Sequence, residues 1–226
     1  MALYPFGAAI FDMDGTLLHN MPLHFQAFAA FAERCGLRLP PPDVAASLIG
    51  RRNSEIMPIL FGRALTAEEI DRFSEEKERI YRDMLAGARP LPGLVRLLDA
   101  LDRRGVITAL ATSAPPGNVG PTLAELGLVG RFATVTLGSE VAHGKPAPDI
   151  FLETARRLGQ PAERCIVFED SYAGITAARA AGMRCVALAT THSADELRIA
   201  CAPDLIVRDF NEFLRIVPEL DAIPFK

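Results

Sequence analysis

The chain has no surplus of basic residues: 24 Lys and Arg stand against 28 Asp and Glu in 226 residues, a formal net charge of -4. Nucleic acid and anionic membrane surfaces call for the opposite balance, so neither is an expected partner. Long apolar runs are also missing. Residues 105–124 and 15–32 carry no Asp, Glu, Lys or Arg, but the first holds Pro115, Pro116, Gly117, Asn118, Gly120 and Pro121. The second holds His19, Asn20, Pro22, His24 and Gln26, and neither suits a spanning helix. No Lys or Arg precedes Arg34, so the basic region of a secretion signal is absent and a cytoplasmic protein is expected. Cys35, Cys165, Cys185 and Cys201 form no CxxC pair and no histidine cluster accompanies them, which argues against zinc. Three of the four lie in apolar or helical runs and read as small core residues.

What is present is the composition of a globular chain. Hydrophobic residues make up 50% and charged residues 23%, too apolar for disorder. The length suits one large domain or a domain with a modest insert.

Short apolar runs at 8–11, 107–111, 133–137, 165–168, 185–188 and 205–207 read as strands. Most are apolar at consecutive positions, as expected where both faces of a strand lie under helices. Helical patterns separate them; over 148–158, Ile150, Phe151, Thr154, Ala155 and Leu158 share a face, and Gly159 can end the helix. The alternation predicts an α/β fold built on a parallel sheet with right-handed crossovers. One segment, from about Leu18 to Arg89, breaks it. Residues 24–35, 54–61 and 67–85 read as helices, the last opened by Thr66 as N-cap with Glu69 three residues on. Roughly 70 residues is too long for a loop and predicts an inserted helical domain. Its exit, Arg89-Pro90-Leu91-Pro92-Gly93, is a stiff turn suited to a hinge.

The first strand runs straight into Phe11-Asp12-Met13-Asp14-Gly15-Thr16. Asp12 and Asp14 leave an extended chain on the same side, roughly 6.5 Å apart. Thr112 and Ser113 follow the second strand, Lys145 the third, and Glu169 and Asp170 the fourth. The carboxyl ends of strands in an open parallel sheet line one crevice, so separate segments deliver these groups to one place. Carboxylates crowded at about 4 Å repel by about 4 kcal/mol each at an effective dielectric near 20. Lys145 offsets one charge; a hard divalent cation with oxygen ligands, Mg²⁺, would offset the rest. A cation, a lysine, a hydroxyl and a free carboxylate together describe a phosphoryl-transfer site. Asp12 is then the nucleophile, Asp14 the acid and base, and Thr112, the Ser113 amide and Lys145 the groups that steady the phosphoryl oxygens. Asp12, the backbone carbonyl of Asp14, and Asp170 would face the metal, with Glu169 behind or beside them.

Phe-Asp-Met-Asp-Gly-Thr, Ala-Thr-Ser, Gly-Lys-Pro-Ala-Pro-Asp-Ile-Phe and Phe-Glu-Asp-Ser-x-Ala-Gly-Ile resemble the four motifs of the haloacid dehalogenase superfamily. They stand in the family's order and span 12–175. The resemblance implies a Rossmann-like core, 1–17 and 90–226, with the segment 18–89 as a small four-helix cap of the β-phosphoglucomutase-like kind. It implies the roles given above for Asp12, Asp14, Thr112, Lys145 and Asp170. Dehalogenases of that superfamily lack the second Asp, and phosphonatases carry a small residue there, so Asp14 points away from both.

Within that branch, His24 stands where β-phosphoglucomutases carry a histidine for proton control. Lys77 resembles a cap lysine that contacts the sugar phosphate, and Gly50-Arg51-Arg52-Asn53-Ser54 resembles the substrate loop, with Gly50 and Arg52 as contacts. The mutase pattern has an Arg where Asn53 stands and a Thr-Asp where Leu18-His19-Asn20 stand. The expected activity is therefore a Mg²⁺-dependent phosphatase for a small phosphomonoester, a phosphosugar, acting as a monomer by default. A phosphosugar mutase is the alternative, and a phosphate-binding regulatory module without turnover the second alternative. On composition alone, Lys77 within Glu75-Glu76-Lys77-Glu78-Arg79 reads as a solvated helix face. His143 reads as a surface residue, and Phe25, Phe28 and Phe31 as core of the insert.

Overall fold

A computed structural model describes residues 4–221; the ends of the expected core, 1–3 and 222–226, lie outside the described residues. After β1 (Ala8–Phe11) come α1 (Met21–Cys35), α2 (Pro42–Leu48), α3 (Asn53–Phe61) and α4 (Ala67–Asp83). There follow α5 (Leu94–Arg103), β2 (Ile107–Thr112), α6 (Pro116–Glu125), β3 (Thr134–Leu137), α7 (Asp149–Arg157), β4 (Cys165–Glu169) and α8 (Tyr172–Ala180). The chain continues through β5 (Arg184–Leu188), α9 (Ala194–Ala200), β6 (Leu205–Val207), α10 (Phe210–Ile216) and α11 (Pro218–Asp221).

The six strands form one parallel sheet in the order β3-β2-β1-β4-β5-β6, an α/β fold with a helical insert between β1 and β2. The central strands β1, β4 and β5 are buried on both faces, and the parity of the pleat sorts their residues. Ala9 and Phe11 pack with Leu110, Phe168 and Val186 toward α5 and α10, where Leu97, Leu101, Phe210 and Phe213 meet them. Ala8 and Ile10 pack with Val167 and Cys185 toward α7 and α8, where Phe151, Ile175 and Ala178 meet them. Two buried faces leave no polar alternation in the sequence, which is why consecutive apolar residues marked these strands.

Register fixes where the polar strand ends fall. Phe11 lies level with Leu110 on one side and Phe168 on the other, so Asp12 follows between the ends of β2 and β4. The Asp12 amide donates to the Phe168 carbonyl at 3.0 Å.

In the insert, Phe31, Met57 and Leu60 form a separate apolar cluster flanked by Phe61 and Phe73. Thr66 caps α4 reciprocally with Glu69, at 3.2 Å from the Glu69 amide and 2.9 Å from the Thr66 amide. α2 is an element the sequence pattern did not separate. The two connections of the insert run side by side, the Leu91 amide donating to the Leu17 carbonyl at 2.8 Å.

Candidate active site

Asp12, Glu169 and Asp170 are buried together at the ends of β1 and β4, with a carboxylate oxygen from each within 4.8 Å of the others. Lys145, 1% exposed, reaches in from the loop before α7 and donates to Asp12 Oδ1 at 2.5 Å and Glu169 Oε1 at 2.7 Å. Burial first, then the Glu169 and Asp14 charges, push Asp12 up to about 8 against the pull of Lys145. Asp170 is also raised well above the usual carboxylate range, by burial and by Glu169 and Asp12. Burial would lower Lys145, but the two carboxylates outweigh it and hold its ammonium above its ordinary value. One lysine thus faces three carboxylates, and burial together with their mutual repulsion raises Asp12 and Asp170. A buried all-oxygen donor set with uncompensated charge fits a hard divalent cation of the Mg²⁺ type.

The two acids after β4 differ in their freedom. Glu169 Oε2 accepts from the Asp170 amide at 2.7 Å, the Ser171 amide at 2.8 Å and the Ser171 hydroxyl at 3.0 Å. With Oε1 on Lys145, Glu169 has little left to offer an ion directly and acts as an anchor for the loop. Asp170 is instead oriented by hydroxyls: Thr191 donates to Oδ2, and Thr16 lies 3.5 Å from Oδ1. Gly15 makes this approach possible. Its φ is +81°, and any Cβ there would run into the Asp170 carboxylate. Gly174 plays the same part for Glu169, since a Cβ on it would overlap that carboxylate.

Asp14 belongs to a second cluster, and its carboxylate does not join the three acids. Asn20 donates to Asp14 Oδ1 at 2.6 Å, and His24 Nε2 lies 3.5 Å from Oδ2. Burial alone would raise Asp14, but His24, Asn20 and Lys77 hold it below the ordinary carboxylate value. Asn20 also accepts from the Gly15 amide at 2.9 Å and donates to the Tyr81 hydroxyl at 2.7 Å, fixing the turn after β1. His24 stacks flat on Tyr81 with ring centroids 3.9 Å apart. Lys77 Nζ lies 2.8 Å from His24 Nδ1 and donates to Glu78 Oε1 at 2.9 Å. A lysine ammonium only donates, so Nδ1 accepts and the His24 proton sits on Nε2, facing Asp14. Glu78 also accepts from Asn53 at 2.7 Å and from Asn118 of α6 at 2.8 Å. Burial would raise it, yet Lys77 and its other partners hold it low.

Several placements correct the sequence reading. Lys77 and Glu78 are buried, not a solvated face. Phe31 is core of the insert as expected and Phe28 packs against that core while also lining the cavity, whereas Phe25 lines the cavity without joining the cluster. Arg52, expected as a substrate contact, does not line the cavity. Its guanidinium pairs with Glu55 at 2.9 Å and donates to the carbonyls of Gly138 at 3.2 Å and Val141 at 3.4 Å. Arg51 and Asn53 line the cavity in its place. Gly50 does line it, at φ +81°, and its carbonyl accepts from the Ser113 hydroxyl at 2.8 Å. Thr112 Oγ1 accepts from the Ala114 amide at 3.0 Å, which leaves its proton free to point into the cavity. His143 is on the surface as expected, bonded to Asp149 at 2.9 Å. Asn20, Tyr81, Asn118 and Thr191 are site residues that sequence reasoning missed. The four cysteines are free and lie apart from the acids, and no helix among the described residues is long and apolar enough to cross a membrane.

Comparison with known proteins places these features in context. The model of the haloacid dehalogenase-like hydrolases matches residues 6–182. A phosphorylated carbohydrates phosphatase of Thermotoga maritima is 34% identical over 180 residues, 78% of this chain and 82% of that protein. The crystal structure of a HAD hydrolase, family IA, variant 3, from Entamoeba histolytica superposes with a TM-score of 0.84 at 30% identity, covering 95% of this chain and 97% of that one. A β-phosphoglucomutase structure from Clostridium difficile gives 0.83 at 26% identity, covering 96% and 97%.

Proposed function

The chain belongs to the haloacid dehalogenase-like hydrolases, and from that premise we propose that it is a Mg²⁺-dependent phosphatase that hydrolyses a small phosphomonoester through an aspartyl phosphate. The observation that carries this reading is Asp12 at the meeting point of Lys145, Glu169 and Asp170. Asp12 and Asp170, with the backbone carbonyl of Asp14, would hold the ion, which supplies positive charge to the carboxylates and to the phosphoryl oxygens. Asp12 at about 8 would carry a proton at neutral pH and be a poor nucleophile; positive charge beside it restores the anion.

Lys145 holds Oδ1 of Asp12 and leaves Oδ2 for phosphorus. Asp14, held as the anion in the free site, would take up a solvent proton as the anionic ester binds beside it and give that proton to the leaving oxygen as the new O–P bond forms and the ester O–P bond breaks. It then takes one from the water that attacks phosphorus, releasing phosphate and regenerating Asp12. The Thr112 hydroxyl and the Ser113 amide donate to the phosphoryl oxygens. The helices of residues 18–89 act as a cap that closes over the ester and excludes bulk water. Sugar phosphates are the substrates the Thermotoga maritima relative suggests, since its name specifies phosphorylated carbohydrates.

A second reading, a phosphosugar mutase, draws on the link from Asp14 through His24 to Lys77 and on the β-phosphoglucomutase likeness. One assay separates them. β-Glucose 1-phosphate with a trace of bisphosphate and Mg²⁺ gives inorganic phosphate from a phosphatase and glucose 6-phosphate from a mutase. Release is expected to stop with EDTA and with Asp12→Asn. Asp14→Asn should trap bound substrate or the phosphoenzyme, the latter seen as acid-stable ³²P on the protein; normal turnover by that variant removes its acid and base roles.

A further inference from the structure

The cavity over the acids, about 340 Å³, has two chemically different ends. Asp12, Asp14, Thr112, Ser113 and Asp170 surround the phosphoryl end. The insert supplies most of the remaining wall, and it is apolar: Phe25, Phe28, Leu39, Leu48, Ile56 and Leu60. Leu60 and Phe28 also pack in the insert's own core, but Phe25 and Leu39 are 46% and 50% exposed and are not spent on it.

Lys77, Glu78, Asn53 and His24 on that wall bond one another or Asp14 and Asn118. Glu78 accepts from Lys77, Asn53 and Asn118. Lys77 is held by Glu78 and His24 and lies 4.3 Å from the centroid of the Phe28 ring. Arg51 donates from Nε to the Ser47 carbonyl, leaving its terminal nitrogens for a single polar substituent. A site that selects a sugar presents converging donors and acceptors, because every buried hydroxyl without a partner weakens binding. This wall offers few.

Resting on the phosphatase reading above, we propose that the organic half of the substrate is hydroxyl-poor and turns an apolar or aromatic face to Phe25, Phe28 and their neighbours. The phosphoryl group then reaches Asp12 while the body displaces water from apolar surface. Among phosphorylated carbohydrates this favours deoxygenated rings over fully hydroxylated ones, and it extends to alkyl and arylalkyl phosphates.

Cyclohexylmethyl phosphate and glucose 6-phosphate test this. They share a ring size and a primary phosphate ester and differ in the ring oxygen and hydroxyls. Phosphate release is measured with wild-type protein and Mg²⁺, and binding by isothermal titration to the Asp12→Asn variant, which cannot turn over. The expected result is a preference of about tenfold or more for cyclohexylmethyl phosphate in both affinity and kcat/KM. Phe25→Gln, a change at an exposed helix position, should shrink it about threefold. Equal or tighter binding of glucose 6-phosphate, or a preference unmoved by both Phe25→Gln and Leu39→Gln, overturns the proposal. If neither ester is hydrolysed while the binding preference holds, the phosphatase reading fails and the apolar selectivity stands.

Discussion

Replacing Lys145 with methionine deletes a charge, together with the ammonium's contact over the Phe151 ring at 5.1 Å, and keeps most of the apolar stem. The ammonium it removes lies 2.5 Å from Asp12 and 2.7 Å from Glu169 and is 1% exposed. Breaking a buried ion pair costs about 3–5 kcal/mol, because the partner is left charged in a poor solvent. Here the lower end applies, since Asp12 and Asp170 already take up protons readily and can neutralise themselves. A loss of about 3 kcal/mol in a chain of this length corresponds to a fall in Tm of about 6–12 °C. That is the expectation in EDTA. In Mg²⁺ the gap should narrow, because the ion supplies the missing positive charge, and the variant should gain more from Mg²⁺ than the wild type does. Turnover in Mg²⁺ should still drop by about 10²–10³, the usual cost of losing one positioned group at a developing charge. Calorimetric melts of both proteins in EDTA and in Mg²⁺ decide. A variant that melts within about 2 °C of wild type in EDTA would refute the claim that Lys145 balances these acids.

The same acids predict a pH dependence. Asp12 binds its proton more tightly folded than unfolded, so its contribution to stability is full below about pH 4 and is lost as pH climbs toward 8. Mg²⁺ removes that loss, so the rise in Tm on adding Mg²⁺ should grow from about pH 5 to about pH 8; a shrinking increment contradicts the assignment. Gly174→Ala should disable the site although it favours a helix by about 1 kcal/mol, because the added methyl must push Glu169 off Lys145 and Ser171. Lost phosphate release with unchanged far-ultraviolet circular dichroism is the expected pair of results, and a fully active variant would show that the contact is not needed.

The strands and the residues at their ends were legible because both depend on short-range pattern. Buried strands are unbroken apolar runs, and in a parallel sheet the residue after each run must face the same crevice. That logic reached Asp12, Thr112, Lys145 and Asp170. It could not reach Asn20, which looks like any loop asparagine until Tyr81, sixty-one positions away, folds back to meet it. Lys77 had two readings, a cap contact from the resemblance and a solvated helix face from composition; it lines the cavity, and only the second fails, because its charged neighbours dominate the local composition. A signal was present: Phe73, Lys77 and Tyr81 recur at four-residue steps, which puts the lysine on the buried stripe of α4. Arg52 illustrates the opposite error. Its position beside Gly50 suggested a substrate contact, but only the tertiary structure shows the Gly138 and Val141 carbonyls drawing the guanidinium away.

The Leu91–Leu17 hydrogen bond has an evolutionary corollary. The polypeptide departs from the catalytic layer and returns to it through neighbouring backbone, so everything between is spliced in at a single seam. Exchanging that cassette for another of different length leaves the ends of β1 and β2 where they are, and with them Asp12 and Thr112, whereas Asn20, His24, Lys77 and Tyr81, which hold Asp14, travel with the cassette. The three acids beneath the cavity and most of the wall above them are thus encoded in different stretches of one gene.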